Sequence, residues 1–238
     1  RFMFWIAWPA APLTRLSMQL TTTSRLVRRF ASNDLPDTLP TGLQVPLYWM
    51  RRPQALTAAA GMNRFVWDLH GAALPGIERG YPIAATPEDT PSEPRGPWLP
   101  PGEYRVRLTL GGEHFERPLA LRMDPRVATP AAGLHRQYAL SVQLVAAMRR
   151  DSALSARVRG RIGAGAAAEE AGSSAASSAL ASLLGGERPG AAGTGAVRPP
   201  NLTRIMGQLA RLYDFVQETD APPTPAVEAA ARTVLADL

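Results

Sequence analysis

The stretch EYRVRLTLGGEHFERPLAL, Glu103 to Leu121, constrains the fold more tightly than any other, because two alternating runs meet at Gly111-Gly112. Two glycines accept positive φ at both central positions of a two-residue turn, which specifies a β-hairpin and fixes its register. Counting outward from the turn sets Leu110 opposite Glu113, Leu108 opposite Phe115 and Tyr104 opposite Leu119. One face then carries Tyr104, Val106, Leu108, Phe115 and Leu119, while the other pairs Arg107 with Glu116, opposite charges suited to water. Pro118 cannot donate to a ladder, so the second strand is expected at a sheet edge or with a bulge. A bulge would also turn Arg117 away from the core.

GMNRFVWDLHG, Gly61 to Gly71, has the same period of two. Asn63, Phe65, Trp67 and Leu69 fall on one face, and Met62, Arg64, Val66 and Asp68 on the other. Phe65, Trp67 and Leu69 are therefore expected in a core. LSMQL and RLVRRF flank TTTS and predict a further hairpin from about Leu16 to Phe30. Several short strands with Pro/Gly-rich connections, including a long loop from Ala72 to Pro101, indicate a small antiparallel sandwich.

After MDPR, Met123 to Arg126, the period changes to that of a helix. Thr129-Pro130 reads as an N-cap with proline at the first helical position, followed by Leu134, Tyr138, Val142, Leu144, Val145, Met148, Leu154 and Val158 at helical spacing, to about Arg161. Ala, Gly and Ser dominate from 163 to 200, a flexible break with a helical patch around Ser178 to Leu184. A second helix starts near Asn201 with Leu202, Ile205, Leu209, Leu212 and Val216, and Thr224-Pro225 opens a third. The expected class is segregated α+β: a β-sandwich over 13–125, then an antiparallel helical hairpin or bundle over 126–238. Residues 1–12, RFMFWIAWPAAP, are too few for a membrane span and read as the remnant of a preceding domain or a linker. TVLADL at the end lacks a cap, so the chain is expected to continue at both ends.

The formal charge of +6 rests on 26 basic residues, all of them arginine and scattered along the chain. That distribution fits coding bias better than a nucleic-acid footprint, and no nucleic-acid partner is expected. With no cysteine, disulfides, thiolate metal sites and cysteine nucleophiles are excluded.

Candidate chemistry is sparse. Arg64 and Asp68 share a strand face but stand about 13 Å apart at ~3.3 Å per residue, too far to bond. Asp68 reads either as an acid at a strand exit or as a carboxylate capping the next loop, the second being favoured. His70, His114 and His135 have no short ligand spacing, so neither a metal nor a cofactor is expected. EDTPSE, with Glu88 and Asp89, offers paired carboxylates, although a proline-bounded acidic loop is commonly just solvated. Tyr48, Trp49 and Trp98 lie in proline-flanked loops. Their rings could stack on a sugar or seat a partner, or else pack over the sandwich end.

As ordered blocks, RLVRRFASND, VPLYWMRRPQALTAAAGMNRFVWDLHG, YPIAATPEDTPSEPRGPWLPPGEYRVRLT and PLALRMDPRVATP resemble the C-terminal region of bacterial secreted β-propeller proteins of the sortilin-like or sialidase-like (BNR-repeat) group. The resemblance implies an Ig-like sandwich with a helical tail, extracellular or periplasmic, following a propeller that carries any hydrolase chemistry. TTTS lacks the glycine expected in the first hairpin turn, RFMFWIAW is a poor propeller blade, and no Ser-x-Asp-x-Gly-x-x-Trp box occurs. The expectation is thus a non-catalytic accessory module that docks on that propeller or on another protein. The alternatives are a glycan-binding module using Tyr48, Trp49 and Trp98, and a glycoside hydrolase fragment using Asp68, Glu88 or Asp89.

Overall fold

The computed structural model describes residues 2–8, 16–22, 25–35, 46–49, 55–74, 95–167, 174–185 and 201–238. The class is α+β, with an antiparallel sheet of four strands and four helices among these residues. The chain divides into two compact units, one of residues 1–73 and 78–131, the other of residues 74–77 and 132–238.

In the first unit the strands are β1 (Phe2–Trp8), β2 (Leu16–Thr21), β3 (Leu26–Ala31), β4 (Gly61–Trp67), β5 (Gly102–Leu110) and β6 (Glu113–Leu121). The four-stranded sheet runs in the order β3-β2-β5-β6. The β5-β6 hairpin has the register that Gly111-Gly112 dictates, Leu110 opposite Glu113 through Tyr104 opposite Leu119, with φ of 54° and 98° at the two glycines. Arg107 Nε donates to Glu116 Oε1 at 2.6 Å on the outer face, and bonds from Arg107 and Arg105 hold the Glu116 carboxyl below its usual range. No bulge interrupts this pairing, and β6 lies at the edge. Counting from the hydrogen-bonded pair beside the turn, Pro118 occupies a non-bonded position where a backbone N–H would point away from β5, so the missing donor costs the ladder nothing. Arg117 therefore keeps the inner-face parity, and its exposed side chain bonds the Glu116 carbonyl.

β2 and β3 pair antiparallel with an irregularity at Leu20/Thr21. Their turn is closed by Thr22, whose N–H reaches Arg25 O at 2.9 Å and whose hydroxyl accepts from Arg25 N at 3.2 Å. A threonine side chain thus closes a turn for which a glycine was expected. The opening stretch, expected as a remnant or linker, forms β1 and pairs with β4 from Phe2↔Trp67 to Trp8↔Gly61. Its uniformly apolar run hides the alternation by which strands are recognised, and only its partner shows which face is inner.

Leu16, Met18 and Leu20 of β2, Tyr104 and Val106 of β5, Leu119 of β6, and Phe65 and Trp67 of β4 join Leu56 in one apolar cluster. Asn63 is buried at the head of β4, its amide donating to the carbonyls of Ala59 and Gly61 at 2.8 and 3.2 Å. β4 ends at Trp67, so Leu69 packs on the cluster from beyond the strand.

The second unit contains α1 (Ala131–Ala167), α2 (Ser174–Leu184), α3 (Leu202–Gln217) and α4 (Pro225–Ala236). α1 outruns its expected end near Arg161, and α2 contains the helical patch expected around Ser178 to Leu184 of the flexible break and starts four residues earlier, because alanine-rich sequence has high intrinsic helicity even without a strong apolar stripe. Residues 186–200 of that break lie outside the described residues. Asn201 caps α3, accepting from Arg204 N at 2.9 Å, and Thr224 caps α4, accepting from Val227 N at 3.3 Å with Pro225 in the first turn. Leu140, Leu144, Val145, Ala147 and Met148 of α1 form a core with Ile205, Leu209, Tyr213 and Val216 of α3 and Ala231 and Val234 of α4. Polar contacts join the same helices. The Gln137 amide donates to Val216 O at 2.5 Å and to Thr219 O, and the Gln217 amide donates to Ser141 Oγ at 2.8 Å.

Asp151, three residues after Met148, continues the buried side of α1, and its Oδ2 has no hydrogen-bond partner among the described residues. Burial pushes its pKa up to about 6, against the opposing Ser155 bond and Arg159 charge. A raised carboxyl pKa means that the stabilising contribution of the protonated form is present at low pH and is lost as pH rises through about 6. Asp151→Asn is accordingly expected to raise stability at about pH 7 by ~1–2 kcal/mol and to gain nothing at about pH 4. Urea titrations at both values check this, and equal effects at the two would refute it.

Candidate functional site

The richest side-chain constellation lies where β4 exits and the chain crosses residues 95–100. Asp68 Oδ1 accepts the His70 N–H at 3.2 Å, a local bond that bends the chain out of the strand. Between them Leu69 takes φ 67°, a conformation that costs a non-glycine residue about 1–2 kcal/mol and needs the surroundings to hold it. The holding groups are visible. Trp67 Nε1 donates to His70 O at 3.0 Å, Gly71 N to Pro97 O at 2.9 Å, and Leu99 N to Leu69 O at 3.1 Å. From β3, Arg28 Nη1 reaches Gly71 O at 3.1 Å while its guanidinium lies 5.0 Å from the Phe30 ring centroid. Tyr104 Oη donates to Pro100 O at 2.8 Å at the far end of the crossing.

His70 is 5% exposed and sits at the centre. Its Nδ1 lies 2.6 Å from Gly96 O, an acceptor only, so the proton of the neutral ring is on Nδ1. Nε2 is buried with no hydrogen-bond partner among the described residues. The His70 and Trp98 rings are 3.8 Å apart, centroid to centroid, inclined at 39°. Burial lowers the His70 pKa most. The Gly96 bond and the Asp68 charge oppose that fall, and Arg95 and Arg28 add to it.

The structure thus brings Trp98, a sequence candidate, to His70 and the Asp68 turn, and leaves Trp98 45% exposed. Tyr48 and Trp49 are carried on a short 3₁₀ turn, Leu47–Trp49, where Tyr48 is 76% exposed and Trp49 half-buried. Asp68 serves the backbone as a cap. Arg64 is exposed on β4, His114 bonds Thr109 Oγ1 at 3.0 Å on the hairpin, and His135 is exposed on α1. Glu88 and Asp89 lie outside the described residues. Among the described residues no three His, Cys, Asp or Glu side chains gather as metal ligands. A cavity of about 440 Å³ lies beside Ser17, Arg29, Thr109, Gly111 and Gly112, but the Arg29 guanidinium there is already paired with Asp34 at 3.2 Å.

Sequence reasoning missed Gly96 and Arg28. A Cβ on Gly96 would stand 2.2 Å from Ala72 O, so glycine is the residue that lets the two backbones touch. The signal was present as a Gly-Pro-Trp run, but nothing local says which distant segment it meets. No helix among the described residues is long and apolar enough to cross a membrane. Comparison of the chain with models of protein families, with curated proteins and with solved structures found no match.

Proposed function

We propose that the chain is a non-catalytic accessory module, an Ig-like β-sandwich followed by a helical hairpin or bundle, that docks on a preceding β-propeller domain of a secreted parent protein. The resemblance of its sequence blocks to sortilin-like and sialidase-like proteins suggests the context. The observation that carries the docking role is the outer side of the β1-β4 ribbon. Met62 is 73% exposed there, and Met3, 47% exposed, pairs directly with Val66, with exposed Arg64 between Met62 and Val66 on the same face of β4. Methionines on an open face adapt to a partner's relief and lose little when buried by it. The Asp68 and His70 side chains support the same reading, since both are engaged with backbone groups.

Met62→Asp is expected to weaken binding of this chain to the separately expressed preceding domain by at least tenfold in sedimentation or calorimetry, leaving the urea midpoint unchanged. Wild-type binding by that variant would sink the docking face. A second reading, glycan binding, is favoured by the exposure of Trp98 and Tyr48, whose flat rings suit a sugar face. Saturable fluorescence quenching by a soluble glycan, lost in Trp98→Ala, would support that reading over docking.

A further inference from the structure

We propose that the crossing of Leu69–Gly71 on Gly96–Leu99 is a proton-operated clasp, closed while the His70 ring is neutral and opened by a proton on Nε2. The geometry leaves that proton nowhere to go. Nδ1 already donates to Gly96 O at 2.6 Å, and Nε2 is enclosed with no acceptor among the described residues, so the imidazolium would bury an unsatisfied N–H and a charge together. The groups facing the ring come from three elements: Asp68 from its own segment, Arg95 from the returning segment and Arg28 from β3. Burial outweighs the Gly96 bond and the Asp68 charge, which favour the imidazolium, while Arg95 and Arg28 add to its cost, and the Trp98 indole closes the stack with a ring that offers no acceptor.

Opening the clasp relieves all of this at once. Leu69 leaves its left-handed conformation, His70 reaches water, and Trp98 loses its stacking partner. The sign follows from linkage. A histidine whose folded pKa is depressed contributes stability that is complete above its open-state value near 6.5 and is lost as pH falls below it, until the folded value is reached.

The test is amide exchange of Gly71 and Leu99, the two donors of the crossing, followed by NMR from about pH 7 to 4.5 with the β2 and β5 amides as internal reference. Protection of the crossing relative to the sheet is expected to fall by up to about tenfold per pH unit below ~6.5. His70→Asn places an amide donor where Nδ1 stands and removes the titration, and should hold protection flat. Arg95→Gln removes one repelling charge, raises the folded pKa and narrows the window, so less protection should be lost than in the wild type. The clasp is overturned if wild-type protection is independent of pH, or if His70→Asn loses as much. Should His70→Asn fail to fold, equal loss in Arg95→Gln and the wild type overturns it.

Discussion

Trp67→Ala is expected to lower the stability of the β unit by about 3–5 kcal/mol, the range for emptying a large aromatic site. The indole is 1% exposed, stands in the cluster shared by both sheets, and ties its Nε1 to His70 O. Two losses therefore coincide: the apolar fill between β4 and the four-stranded sheet, and a bond that fixes the exit of β4. Trp67→Phe separates them, keeping most of the fill while deleting the donor, and should cost only about 1–2 kcal/mol. Urea unfolding monitored by far-UV circular dichroism measures both. A cost below about 1 kcal/mol for the alanine variant would mean that Trp67 is no pillar of the core.

Gly96→Ala should be nearly as damaging, at about 3 kcal/mol or more, by the opposite route of overfilling. The added carbon would lie 2.2 Å from Ala72 O and 2.7 Å from Gly71 C, and a backbone neighbour cannot swing aside as a side-chain tip can. The crossing must separate, and the bonds His70–Gly96, Gly71–Pro97 and Leu99–Leu69 go with it. Gly111→Ala supplies the contrast. Gly111 has φ 54° and nothing within 4 Å of its would-be Cβ, so only the backbone preference is lost, about 1 kcal/mol. Thermal melts of the two variants should differ by several degrees, and equal melts would show that steric closure at Gly96 is unimportant.

What could be read from the sequence follows the range of each interaction. The β5-β6 register was legible because two adjacent glycines fix it within the hairpin, and the burial of Phe65 and Trp67 because alternation needs no knowledge of the partner strand. The helix starts at Asn201 and Thr224-Pro225 were legible for the same reason, since each cap acts within three residues. β1 was not, since its apolar run gains a face only from β4, more than 50 residues on. The His70–Trp98 stack was equally hidden. Its partners are 28 positions apart, and the left-handed Leu69 that aims His70 is a conformation no rule would assign to leucine. Asp68 was read rightly as a cap. Trp98 was singled out for its ring, but the histidine beneath it was not foreseen.

The amides of Gln137 and Gln217 have a consequence for how the helices choose among alignments. An apolar stripe with a heptad-like rhythm is nearly self-similar, so α3 slid along α1 by one turn, about 5.4 Å, would still bury leucine against leucine. The Gln137 amide reaches the carbonyls of Val216 and Thr219, where α3 ends and its backbone acceptors come free, and Gln217 meets the hydroxyl of buried Ser141. Only one alignment offers all of these partners, and any other would give up the bonds at about 0.5–1.5 kcal/mol each. The glutamines thus act as a vernier: they add little to adhesion between the helices but single out one position along a surface that would otherwise accept several.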